Sequence, residues 1–184
     1  MKTLCFDINE TQKLFSENRL LELRGLSNRL IRESALNNDY AKAELGVIAY
    51  ALHKIETKSH FVKNPKWNKI KQSIILILNE AKKASEENNS AKLINNLKRI
   101  IKHIRDINNE LGNYAQNLYD KAKVKQASLA YSYGLSISQA ASLTGADQKE
   151  LQNYIGFTTM HDEEIEIKSI TERVKELKQL IEKE

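Results

Sequence analysis

Proline occurs once and glycine six times in 184 residues, which leaves few turn-makers for a sheet protein and favours long helices. The single cysteine, Cys5, excludes an internal disulfide and suits a reducing compartment. Four histidines are scattered along the chain and none joins a cluster at metal-ligand spacing, so no metal is expected. The longest uninterrupted aliphatic run, Ile74 to Leu78, is far short of the roughly 20 apolar residues that cross a bilayer. The first residues, MKTLCFDINE, place acids where a secretion signal needs an apolar stretch. A cytoplasmic protein that does not enter the membrane is expected. There is no phosphate-binding glycine loop, nucleophile elbow or paired metal carboxylate, so neither a cofactor nor an enzyme is expected.

What is present is a globular composition, 41% hydrophobic and 29% charged, with a formal net charge of +5. That charge is unevenly placed. Lys54, Lys58, Lys63, Lys66, Lys69 and Lys71 stand against Glu56 alone, and Lys121, Lys123 and Lys125 follow one another with no acid between them. From residue 137 onward acids outnumber bases. A phosphate backbone would favour the first two regions, although lysines on loops and helix ends can equally be a solvated face.

Apolar residues recur at helical spacing throughout, and no segment shows sustained period-two alternation. Leu14, Leu20, Leu21, Leu23, Leu26, Leu30 and Ile31 predict one long or kinked helix from Thr11 to about Ser34. After Asn37-Asn38-Asp39, Ala43, Val47, Ile48, Tyr50, Ala51 and Ile55 predict an amphipathic second helix, with His53 and His60 in surface or capping roles at its basic end. Asn64-Pro65 opens a third, running to about Lys83, whose uncharged stretch Gln72 to Asn79 implies burial on most sides. Residues 85 to 90 are a polar connection. A fourth helix carries Leu93, Leu97, Ile100, Ile101, Ile104, Ile107 and Leu111 on one side, and either continues or breaks near Gly112.

The expected fold is therefore all-α: an antiparallel helical bundle over 1–120, a helix-turn-helix module over 121–160 and a C-terminal amphipathic, coiled-coil-like helix over 161–184. In the module, Ser136 or Ser138 can cap a first helix, and Ala140 and Ala141 are small enough for a second helix to cross nearby. Gly145 suits a left-handed turn position, Asp147 can cap the second helix, Leu151 and Ile155 point back to the core, and Gly134 and Gly156 punctuate the two ends. If duplex DNA is bound, Gln148, Lys149, Gln152 and Asn153 are the side chains that would reach base edges, while Lys121, Lys123 and Lys125 would anchor phosphates. Asp147 and Glu150 would oppose phosphate. Ile167, Ile170, Val174, Leu177 and Ile181 form a heptad seam that either docks on the bundle or pairs two copies into a homodimer.

The elements KAKVKQAS (Lys121 to Ser128), GLSISQAA (Gly134 to Ala141), ELQNYIG (Glu150 to Gly156) and Thr159 to Asp162 resemble helix-turn-helix regions of archaeal proteins of unassigned function and, less closely, small prokaryotic antitoxin-like regulators. The resemblance covers about a fifth of the chain and implies a regulatory, DNA-binding role. Relatives often carry an apolar residue where this chain has Thr144. Two other readings stand beside this one. The same motif can serve contact with a protein partner, and Arg99 followed by His103 loosely resembles the arginine and histidine of helical toxin-type ribonucleases, at a shorter spacing.

Overall fold

The structure, a computed structural model, describes residues 2–110 and 118–163. Among them are nine helices and no strand: α1 (Lys2–Ser16), α2 (Leu20–Asn37), α3 (Tyr40–Glu56), α4 (Ser59–Val62), α5 (Trp67–Glu86), α6 (Ser90–Glu110), α7 (Leu118–Ser132), α8 (Ile137–Thr144) and α9 (Gln148–Glu163). The all-α class is as the periodicity implies. No helix of the described residues is long and apolar enough to cross a membrane. The heptad positions Ile167, Ile170, Val174, Leu177 and Ile181 lie outside the described residues, as does the Gly112 region.

The single helix expected from Thr11 to Ser34 is in fact two. Asn18 adopts φ 57°, and Arg19 N–H donates to the Leu14 carbonyl at 2.9 Å, five residues back, closing α1 before α2 begins. Asn38 and Asn88, each at φ 54°, end α2 and α5 in the same way, with the following N–H bonding Ser34 O and Ala84 O. A left-handed residue at a helix C-terminus is usually glycine, and asparagine is the L-residue that best tolerates the position. A chain with few glycines has used asparagine for three of its stops.

Two helices exchange the roles their composition suggests. α3, expected to be amphipathic, is buried on nearly every side, with Leu45, Val47, Ile48, Ala49, Ala51 and Leu52 fully covered. Its small residues let neighbours approach all round: α1, α2, α4, α6, α7 and α8 all pack on it. α5, expected to be buried on most sides, covers only Trp67, Ile74, Ile77, Leu78, its two alanines and Ser85, packing against α1, α4 and α6 and leaving Leu76 62% exposed. His53 also departs from expectation. It is buried, with Nδ1 donating to the Leu20 carbonyl at 3.0 Å, so it pins the start of α2 to the end of α3.

A charged cluster joins the first three helices. Asp7 is buried and lies 3.0 Å from Arg29 and 3.3 Å from Lys42, while Glu33 receives both Arg29 (3.1 Å) and Lys42 (2.8 Å). Lys71, from α5, ties the α1–α2 break to α3, bonding Asn18 Oδ1 at 2.5 Å and the buried Glu56 at 2.6 Å. α7 packs on α2, α3 and α6 as well as on α8 and α9, and the expected boundary at 120/121 falls inside it.

Candidate nucleic-acid interface

The corner around Gly145 is built largely as its residues dictate. Ser136 and Gln139 satisfy each other's backbone N–H groups in a reciprocal cap at the start of α8. Ala140 and Ala141 are buried, and Gly145 ends the helix at φ 67° with Ala146 N–H bonding back to Ala141 O at 3.0 Å. Asp147 Oδ1 accepts from Glu150 N–H at 2.9 Å and starts α9. Leu151 is fully buried, Ile155 is partly covered, and Gln148, Lys149, Gln152 and Asn153 face solvent. Thr144, the polar residue in an apolar position, is buried with its hydroxyl donating to Ala140 O at 3.0 Å, which removes the cost of the buried oxygen. Gly156 does not end the helix, which continues to Glu163.

Beside this corner lies a groove of about 810 Å³ where α2, α3 and the start of α4 face α7 and α9. Arg24, Lys54, Lys58, Lys121 and Lys125 line it, with Asn153, Tyr50 and Tyr154. None of the five cations has an acidic ion-pair partner among the described residues. Lys54 lies 5.5 Å from the centre of the Tyr50 ring, and Lys125 donates to the Tyr154 hydroxyl at 3.0 Å. Of the two acids on the groove wall, Asp120 is engaged by Lys123 at 3.1 Å and Arg105 at 3.8 Å, and Glu150 has no ion-pair partner among the described residues. The groove thus concentrates positive charge in a concave, partly apolar setting that strengthens its field.

The three consecutive α7 lysines do not act as one set. On a helix, positions 121 and 125 lie one above the other while 123 is on the far side. Lys121 and Lys125 line the groove, and Lys123 instead bonds Asp120 and sits 5.2 Å from the Tyr119 ring centre. Of the α9 residues, Asn153 lines the groove; Gln148, Lys149 and Gln152 do not. Sequence reading missed Arg24, Tyr50 and Tyr154 as groove residues. Arg24 belongs to a charge-neutral stretch and carried no signal; Lys54 and Lys58 lie in the lysine-rich stretch already noted. Arg99 is paired with Glu80 and bonds Asn96 Oδ1 at 2.9 Å, and neither it nor His103 lines this groove.

Among the described residues no group of three or more His, Cys, Asp or Glu side chains could hold a metal ion. The class that fold and site define is an all-α protein with a basic groove. No protein-family model, curated protein or solved structure matches the chain.

Proposed function

We propose that this chain is a nucleic-acid-binding regulator of the cell interior, holding duplex DNA with the corner between α8 and α9 used as a helix-turn-helix. The observation that carries the reading is the convergence of Arg24, Lys54, Lys58, Lys121 and Lys125, from different elements, on one groove that Glu150, Asn153 and Tyr154 of α9 also line. In this reading the five cations neutralise phosphates, and Asn153 with Gln148, Lys149 and Gln152 meets base edges. The resemblance over 121–162 to helix-turn-helix regions supports it, and the heptad from Ile167 to Ile181 would pair two copies so that two half-sites are read.

The test is a mobility-shift titration on duplex DNA at two salt concentrations. Binding that weakens steeply with salt supports the reading, as does a salt slope shallower by roughly 0.9 in each of Lys54→Ala, Lys58→Ala and Lys121→Ala, where one phosphate is no longer neutralised. Absence of binding at low salt, or binding indifferent to those changes, overturns it. The competing reading, contact with a protein partner, is favoured by one feature: Glu150 stands in the groove and Asp147 at the head of α9, where a DNA backbone would meet them.

A further inference from the structure

Lys123, turned away from the basic groove, lines a second cavity of about 780 Å³ between α3, α6, α7 and the end of α8. Its wall carries two groups whose hydrogen-bonding capacity the fold leaves unused. Glu44 is half-buried and makes no hydrogen bond or ion pair among the described residues; burial pushes its carboxyl above the usual range, against the pull of Lys98 and Lys123. Tyr119 is 3% exposed, and its hydroxyl has no hydrogen-bond partner among the described residues. Burial, with Glu44 close by, pushes its ionisation far up, so it is a neutral donor. Lys98 and Lys102, one turn apart on the exposed side of α6, have no acidic partner among the described residues, and Arg105 reaches Asp120 only at 3.8 Å.

A carboxylate partly buried at the wall of a cavity costs the folded state free energy that water offsets only in part. Within a cavity it is an acceptor awaiting N–H groups, and the unpaired cations along α6 await an anion. The volume falls in the range that takes a small ligand. Ile101 and Leu143 add apolar lining on which a flat ring can rest, and Asp106 is the second acid of the wall.

We propose that this cavity binds a guanine mononucleotide, the phosphate held by Lys98, Lys102 and Arg105 and the base presenting its two adjacent N–H donors to the Glu44 carboxylate. A carboxylate accepts that pair of donors side by side, as it accepts a guanidinium. Adenine offers one donor beside a ring nitrogen acceptor, which the carboxylate would repel. Because Thr144 and Gly145 also line the cavity, a bound nucleotide touches the turn in front of α9. The inference stands independently of the nucleic-acid reading.

Calorimetric titration of the full chain tests it, with guanosine monophosphate, adenosine monophosphate, guanosine and inorganic phosphate as probes and no nucleic acid present. The expected result is saturable binding of guanosine monophosphate, with the other three weaker by about tenfold or more. Glu44→Gln and Lys102→Ala each weaken it by a similar factor, while Lys121→Ala, in the other groove, leaves it unchanged. Glu44→Gln removes an ion that burial disfavours, so its melting temperature is expected to hold or rise, and weakened binding there does not come from unfolding. Failure of guanosine monophosphate to bind, equal binding of adenosine monophosphate or phosphate, or unaltered affinity in Glu44→Gln overturns the proposal.

Discussion

Ser27 Oγ donates to the Gly46 carbonyl at 2.7 Å, a buried bond across the contact between α2 and α3. A Cβ at Gly46 would lie 3.1 Å from Ile31 Cδ1 and 3.3 Å from Leu30 Cβ, so the same residue that offers the acceptor also lets the helices close. Gly46→Val is expected to lower stability by ~1–3 kcal/mol through overpacking. Ser27→Ala should cost about 1 kcal/mol. Urea denaturation followed by circular dichroism measures both, and a Gly46→Val variant as stable as the parent would contradict the packing described.

The Asp7, Arg29, Glu33 and Lys42 cluster is expected to be strongly coupled. Lys42→Met leaves the buried Asp7 carboxylate with Arg29 alone and should cost about 3 kcal/mol, in line with breaking a buried ion pair. Adding Asp7→Asn should recover part of that loss, because the buried charge that has lost one of its two cations is removed. A double-mutant cycle reads the coupling, and additive losses would show that the two residues do not interact.

Acid should weaken the fold in two steps. Burial holds His53 below its ordinary 6.5 despite the bond to Leu20, so below about pH 6.5 the unfolded chain takes up a proton that the folded one refuses, and stability falls. Glu33 is held below its ordinary 4.5, chiefly by the hydrogen bond from Lys42; the stability it contributes is present above that pH and is lost as pH falls through the lower range. Glu44 acts in the opposite sense, its ionisation costing stability as pH rises. Melting curves from pH 4 to pH 8 should show the upper step disappear in His53→Leu and persist in Glu33→Gln.

At the α8–α9 corner, a Cβ on Gly145 would meet nothing within 4 Å, so the cost of Gly145→Ala is that of forcing φ 67° on an L-residue, about 1–2 kcal/mol. Ser136→Ala removes the reciprocal cap and should cost about 1 kcal/mol. Hydrogen exchange of the α8 amides would report both. Unchanged protection in either variant would mean that these residues do not hold the corner.

The two faces of α7 give a prediction about sidedness. Lys121→Ala with Lys125→Ala should weaken binding to duplex DNA about tenfold or more at moderate salt, whereas Lys123→Ala, whose ammonium is held by Asp120, should change it little. Equal weakening in a mobility-shift assay would mean that the groove is not the binding face.

Much of the local architecture was legible from residue order. Ser136, Gly145 and Asp147 cap and turn by chemistry acting over three or four residues, and the covered stripe of α6, from Leu93 to Ile104, follows from helical periodicity. The stop at Asn18 was not legible. Asparagine in the left-handed position resembles asparagine elsewhere on a helix surface until the bond from Arg19 to Leu14 is seen.

By itself the sequence determined the all-helical class, the left-handed stop at Gly145 and the outward polar face at the start of α9, because each depends on short-range spacing and backbone preference. Only the tertiary structure decided that α3 rather than α5 is the enclosed helix. It alone joined Arg24, Lys54 and Lys58 to Lys121 and Lys125, parted Lys123 from its neighbours, and left Glu44 without a donor among the described residues. Which side chains share a groove depends on how helices distant in the chain pack, and local spacing does not encode that.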